Sequence, residues 1–275
     1  MKIAATVEEI RSAVKAWKKE GLSVGFVPTM GYLHEGHQSL MQKAVSENDR
    51  VVVSIFVNPM QFGPSEDLES YPRDLEKDAS LCEASGVDLI FHPEPKEMYH
   101  PDFSSFVDMH GLTESLCGKS RPAHFRGVCT VVTKLFNIVQ PDCAYFGQKD
   151  AQQLAVIQQM VRDLNLDVTV IGCPIIREAD GLAKSSRNSY LSADERKAAL
   201  VLSQALEVAK QLLANGEQNA AKIRNAISET IQAEPIAKID YVELVDARTL
   251  QQVDTVERPV LVALAVYIGK TRLID

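Results

Sequence analysis

The stretch Val27-Pro28-Thr29-Met30-Gly31-Tyr32-Leu33-His34-Glu35-Gly36-His37 decides the fold, because it joins an apolar strand to a helix and places two histidines at the join. Residues 22–27 form a short apolar run behind Gly21, and Pro28 and Gly31 are expected to stop it, since neither continues a sheet comfortably. A helix is expected over 36–47. Its first turn leaves backbone N–H groups unpaired and carries the positive end of the helix dipole, which suits anionic oxygen such as phosphate. His34 and His37 are three apart and so share one face.

Outward from this junction, strand-like runs at 22–27, 51–57, 87–91, 143–146 and 168–171 alternate with helical patterns at 8–19, 36–47, 74–85, 128–139 and 151–164. Such alternation predicts an α/β fold, a Rossmann-like parallel sheet covered on both faces. Residues 93–125, rich in His, Pro and Ser, break the alternation and read as a functional excursion or a small hairpin around 106–109. With the strands in the order 3-2-1-4-5, an assumption that sequence does not fix, the first and fourth flank the crevice where ligands bind. Three loops then converge there: the histidine segment, Asn58-Pro59-Met60-Gln61-Phe62 and Phe146-Gly147-Gln148-Lys149-Asp150.

Past residue 176 the pattern changes. Ser192-Ala193-Asp194-Glu195 reads as a capping box opening one amphipathic helix that ends at Asn215-Gly216, followed by a helix over about 219–233. Strands at 241–245, 260–268 and 271–274 have no helices between them and predict a small antiparallel sheet. The expected domains are therefore 1–176, Rossmann-like, and 177–275, a smaller C-terminal α+β lid. On the seam between them, Asp180-Gly181-Leu182-Ala183-Lys184-Ser185-Ser186-Arg187-Asn188 offers hydroxyl, ammonium and guanidinium donors to phosphate.

Composition narrows the function. The chain of 275 residues is 45% hydrophobic and 24% charged, with no apolar run long enough to span a bilayer. Acids at Glu8 and Glu9 stand where a signal peptide would be apolar, so a cytoplasmic location is expected. Five cysteines without a C-x-x-C pair argue against a disulfide framework and a thiolate zinc site. A net charge of −8 without a basic cluster disfavours nucleic-acid binding. Two histidines three apart also lack the further partners that zinc needs, and His92, His100 and His110 read as loop residues. Asp78 reads as either a Mg²⁺ neighbour or, as an exposed helix acid more often is, a solvated carboxylate, and Asp150 could be no more than a helix cap.

Six motifs then stand in a telling order. Pro28-Thr29-Met30-Gly31 with His34-Glu35-Gly36-His37, Asn58-Pro59-Met60-Gln61-Phe62, Tyr71-Pro72-Arg73, Arg121-Pro122-Ala123-His124-Phe125-Arg126-Gly127, Phe146-Gly147-Gln148-Lys149-Asp150 and Ser185-Ser186-Arg187-Asn188 together resemble the pantoate–beta-alanine ligases. That family belongs to the nucleotidylyltransferase superfamily with its His-x-Gly-His signature, and the resemblance covers nearly the whole chain.

The resemblance implies a two-step condensation of (R)-pantoate with β-alanine through a pantoyl adenylate, releasing pyrophosphate and AMP. It implies ATP binding by Met30, Gly31, Tyr32, Leu33, His34, Glu35, Gly36 and His37, with His37 as proton donor, and by Gly147, Gln148, Lys149, Asp150, Ile176, Lys184, Ser185, Ser186 and Arg187. Gln61 and Gln153 would hold pantoate, Gln61 would also line the β-alanine position, and Asn58 is a further pocket residue. His34, His37, Lys149, Ser185, Ser186 and Arg187 form the expected catalytic set, with Mg²⁺ accompanying ATP and metal ligands unassigned. A homodimer is implied too. Lys184 departs from the family's usual apolar residue and is expected to face solvent or pair with Glu178 or Asp180. The alternative is a nucleotidyltransferase of the same superfamily acting on another small acid or phosphate.

Overall fold

The structure is a computed structural model that describes residues 1–64 and 66–275. The chain divides into two compact units, Met1–His110 with Arg121–Pro174, and Gly111–Ser120 with Ile175–Asp275. The last crossing falls just before the expected 176/177 boundary, and the excursion Gly111–Ser120 groups with the second unit.

The first unit is built on a parallel sheet of β1 (Lys2–Ala4), β2 (Val24–Thr29), β3 (Arg50–Ile55), β4 (Leu89–Phe91), β5 (Cys143–Gly147) and β6 (Thr169–Cys173). Its spatial order is β1-β4-β3-β2-β5-β6, so the direction of winding reverses between β2 and β5. This is the 3-2-1-4-5 order of the five expected strands with a short edge strand, β1, added beside β4. Between the strands come α1 (Val7–Lys19), α2 (Glu35–Glu47), α3 (Leu75–Ala84) and the short α4 (Pro95–Met98), and later α6 (His124–Val139) and α7 (Ala151–Asp163).

Successive residues Val24, Gly25, Phe26 and Val27 are all buried, which requires cover on both faces of β2. Phe26 meets Phe136 of α6 edge-on at 6.4 Å, while Val27 joins Leu40 and Met41 of α2 in another cluster. Pro28 does not stop β2 as the sequence suggested. It lies inside the strand, paired with Ser54 of β3, while the ladder to β5 ends at Phe26, so the sheet has already opened where proline lacks its N–H. That opening is the switch-point crevice.

Of the two readings of 93–125, the small hairpin around 106–109 does not form: residues 103–110 have no regular structure, and the Val107 N–H bonds the Thr130 hydroxyl of α6 instead of a neighbouring strand.

In the second unit, α5 (Leu116–Ser120) is followed by α8 (Ala193–Ala198), α9 (Val201–Ala214) and α10 (Ala220–Gln232), then by the antiparallel sheet β7 (Ala237–Asp246), β8 (Val260–Ile268) and β9 (Thr271–Ile274). Ile223, Ile227 and Ile231 recur at i, i+4 and i+8 on α10 and pack with Leu202 and Ala205 of α9 and with Leu244, Leu264 and Val266 of the sheet. The capping box at Ser192 and Glu195 forms, but the expected single helix breaks between α8 and α9. There the i→i+3 bonds Leu200 N to Lys197 O and Leu202 N to Ala199 O tighten the turn.

Candidate active site

The loop after β2 is held by hydrogen bonds to its own backbone amides. Gly31 and Tyr32 both adopt positive φ, 83° and 51°, a strained state for tyrosine. The fully buried carboxylate of Asp78 on α3 accepts the N–H of Tyr32 at 2.8 Å and that of Leu33 at 2.6 Å. Burial pushes the Asp78 pKa up, outweighing these two bonds. Asp78 is thus not the solvated acid expected from sequence. The missed signal was its place on the apolar stripe of α3, three residues after Leu75 and four before Cys82.

His34 is the N-cap of α2, and the two histidines close a reciprocal capping box. His34 Nδ1 accepts the Gly36 N–H at 3.1 Å, and His37 Nδ1 accepts the His34 N–H at 3.3 Å. A backbone N–H can only donate, so neither Nδ1 carries a proton and each ring keeps its N–H at Nε2. The ring centroids lie 4.1 Å apart. Burial, then the neighbouring His34 and the Lys149 ammonium, hold the His37 pKa well below the ordinary histidine value, so this ring is neutral at pH 7.

The loop after β3 is held by hydrogen bonds to a carbonyl. Asn58 caps the 3₁₀ turn Pro59–Gln61 and is itself buried. Its Oδ1 accepts from Met60 N at 3.3 Å and from the Tyr99 hydroxyl at 2.8 Å; its Nδ2 donates to Gln61 Oε1 and Gly127 O, both at 3.1 Å. Every polar atom of Asn58 is therefore committed, and its effect is to orient Gln61. The Gln61 Nε2 donates to the Met30 sulfur at 2.9 Å, which joins this loop to the histidine loop.

The Arg121 to Gly127 motif explains itself here. Arg121 grips Glu66 with two bonds of 2.6 Å and donates to the Gln61 carbonyl at 3.3 Å. His124 Nδ1 donates to the same carbonyl at 2.9 Å, so its Nε2 keeps a lone pair. Burial, then the Arg121 charge, pushes the His124 pKa down to about 4; the carbonyl bond and the charges of Glu66 and Asp150 oppose the shift. Gly127 lets α6 pass against the turn, since a Cβ there would run into the Met60 carbonyl oxygen. Tyr71 packs edge-on against Phe62 at 5.9 Å, and Arg73 ties down the carbonyls of Leu68, Glu69 and Tyr71, so both shape the following loop.

From the far side of the crevice, β5 ends at Gly147 and leads through the 3₁₀ turn Gln148–Asp150 into α7. Lys149 lies close enough to depress the His37 pKa, and Asp150 close enough to influence His124. Asp150 occupies the N-cap position of α7 yet makes no side-chain cap bond, so capping does not account for it. Gln153 stands half-buried in the first turn of α7. The first unit thus gathers His34, His37 and Lys149, and beside them Met30, Gln61, His124 and Asp150.

In the second unit, Ile176 and Lys184 face each other across a small hairpin through the bond from Lys184 N to Ile176 O, with Gly181 at φ 100° in its turn. Lys184 pairs with Glu178 at 2.8 Å, whereas Asp180 pairs with Arg196 at 3.0 Å. Ser185 caps the 3₁₀ turn Ser186–Tyr190 by accepting the Arg187 N–H at 3.3 Å, and Asn188 Nδ2 donates to the Ala183 carbonyl at 3.0 Å. Ser186 is buried.

A doubly wound parallel sheet with a histidine-capped helix at its switch point is the arrangement of a nucleotide-binding α/β protein. Residues 2–275 match the family described as pantoate-beta-alanine ligase. The chain is 64% identical to the pantothenate synthetase of Enterococcus faecalis, over 100% of this chain and 98% of that one. It is 61% identical to the pantothenate synthetase of Clostridium acetobutylicum with the same coverage, 100% and 98%. Among solved structures, the pantothenate synthetase of Thermus thermophilus superposes with a TM-score of 0.95 at 46% identity, covering 100% of this chain and 98% of its own. The pantoate-beta-alanine ligase of Francisella tularensis, solved with beta-gamma ATP and beta-alanine, gives 0.82 at 37% identity, covering 100% and 96%. The chain belongs to the pantoate-beta-alanine ligase family.

Proposed function

We propose that the protein joins the carboxylate of pantoate to the amine of β-alanine in two half-reactions. In the first, a pantoate carboxylate oxygen attacks the α-phosphorus of ATP and the bond to pyrophosphate breaks. In the second, the β-alanine amine attacks the acyl carbon of the pantoyl adenylate, AMP leaves, and the amine loses a proton as the amide forms. The substrates supply both nucleophiles, so the protein's part is to orient anions and stabilise charge developing on phosphate.

The reciprocal histidine cap carries this reading. With each Nδ1 turned to a backbone amide, His34 and His37 carry their protons on Nε2, and these N–H groups are the donors we assign to phosphate oxygens at the start of α2. Because burial keeps His37 neutral, its role is to donate a hydrogen bond to the departing pyrophosphate; full proton transfer would need the imidazolium that burial disfavours. Lys149 adds a cation there. Met30 to His37 and Gly147 to Asp150 are assigned to ATP, as are Ile176, Lys184, Ser185, Ser186 and Arg187 of the second unit, with the last three toward the triphosphate. Lys184, already paired with Glu178, has a minor part. Gln61 and Gln153 hold pantoate, Gln61 also borders the β-alanine position, and Asn58 sets the Gln61 amide.

Among the described residues no group of three or more His, Cys, Asp or Glu converges to cage a metal ion. Mg²⁺ therefore fits as a companion of the ATP phosphates, with the uncapped Asp150 the side chain to meet it and neutralisation of phosphate charge its chemistry. We further assign the second unit as a lid that keeps water from the adenylate, and the protein as a cytoplasmic homodimer, which sedimentation and fractionation would test.

Pyrophosphate exchange tests the reaction course. ATP should exchange labelled pyrophosphate when pantoate is present and β-alanine is absent. Exchange without pantoate would overturn it, as would a nucleotidylated end product in place of pantothenate.

A further inference from the structure

We infer that Asp78 is a positioning residue for the two histidines assigned to phosphate, acting through the backbone of Tyr32 and Leu33. The inference rests on the assignment of His34 and His37 to phosphate. The side chain is 0% exposed, and both carboxylate oxygens are committed to backbone amides, one each from the two residues that precede His34. A carboxylate in such a place is held against the cost of burying charge. α3 needs none there, since its first turn is already capped by Asp74.

The loop needs it more. Tyr32 occupies a left-handed conformation that persists only when its surroundings impose it. Asp78 fixes the amide of Tyr32 from one side, and the neighbouring Lys77 ammonium sits 4.9 Å from the Tyr32 ring centre. The fit is close enough that a Cβ on Gly31 would lie 3.0 Å from Asp78 Oδ2. With residues 32 and 33 fixed, His34 enters α2 at φ −143° and ψ −179°, the geometry from which its amide reaches His37 Nδ1. Asp78 therefore sets where both Nε2–H groups point without touching substrate.

Ionised Asp78 presents two acceptors to two N–H donors. Asparagine would turn one acceptor into a donor facing an N–H, and alanine would remove both acceptors together with the buried charge. The loop after β3 is fixed by other residues, so pantoate binding should be spared. Displacing catalytic groups by about 1 Å costs on the order of 100-fold in rate.

The test is pantoate-dependent pyrophosphate exchange by Asp78→Asn and Asp78→Ala beside His37→Gln. In folded Asp78→Asn or Asp78→Ala, kcat should fall roughly 10- to 100-fold with KM for pantoate within about twofold of the parent. A parental kcat in either folded variant overturns the inference, and failure of both to fold overturns it equally by making Asp78 a determinant of the fold. If His37→Gln keeps full exchange, the phosphate assignment itself falls; if His37→Gln fails while the Asp78 variants keep parental kcat, only the positioning role falls.

Discussion

The loops that follow β2 and β3 leave neighbouring strands of one sheet and differ in how histidine side chains meet their backbone. In the first, a buried carboxylate and two imidazole nitrogens take up backbone N–H groups. In the second, a guanidinium and an imidazole N–H take up a backbone carbonyl. The difference bears on what each loop offers. In the first the acceptors face the backbone and the ring N–H groups suit phosphate; in the second the donors face the backbone and the Gln61 side-chain amide suits the hydroxyls and carboxylate of a small acid.

The largest effect is expected where the first loop meets a cation. Lys149→Ala removes the charge beside His37 and should lower kcat for pyrophosphate exchange by roughly 10²- to 10³-fold with little change in Tm. Equal losses of activity and thermal stability would make Lys149 structural and blur the contrast. Gly127→Ala attacks the second loop instead. Its methyl would meet the Met60 carbonyl, so stability should fall by about 1–3 kcal/mol and KM for pantoate should rise more than KM for ATP. Calorimetry with steady-state kinetics checks both parts.

Acid should expose the same division more gently. His124 has its pKa lowered to about 4 from an unfolded value of 6.5, so the unfolded chain binds the extra proton first. Its contribution to stability is intact above 6.5 and is lost as pH falls from there toward 4. His124→Gln should flatten that part of the Tm-versus-pH curve, and an unchanged slope would place the acid sensitivity elsewhere. The smallest change is expected far from both loops. Lys184→Met breaks a partly exposed pair with Glu178 and should alter stability by at most about 1 kcal/mol and KM for ATP by less than about threefold. A larger rise in KM would make Lys184 a phosphate ligand.

The legibility of the two loops in the sequence differed in the same way. Apolar runs and helical periods carried the alternation of strands and helices and the histidine junction, because period and punctuation are local signals, whereas the strand order was an assumption that the sheet matches. β1 escaped because Lys2-Ile3-Ala4 is too short to show a period. The break between α8 and α9 escaped because no Gly or Pro marks it. Gln61, His34 and Lys149 could be picked out by motif, but the contacts that aim them could not. Asp78 lies 46 residues from Tyr32 and Arg121 lies 55 from Glu66, so only the folded chain brings these partners together.

The central claim is that the imidazoles bonded to the backbones of the two loops are neutral and carry their protons on opposite nitrogens. Nitrogen-15 NMR of histidine-labelled protein at pH 7, assigned with His34, His37 and His124 variants, tests it directly. The account predicts that His34 and His37 are protonated at Nε2 only and His124 at Nδ1 only. A doubly protonated His37, or the same tautomer in all three rings, would contradict it.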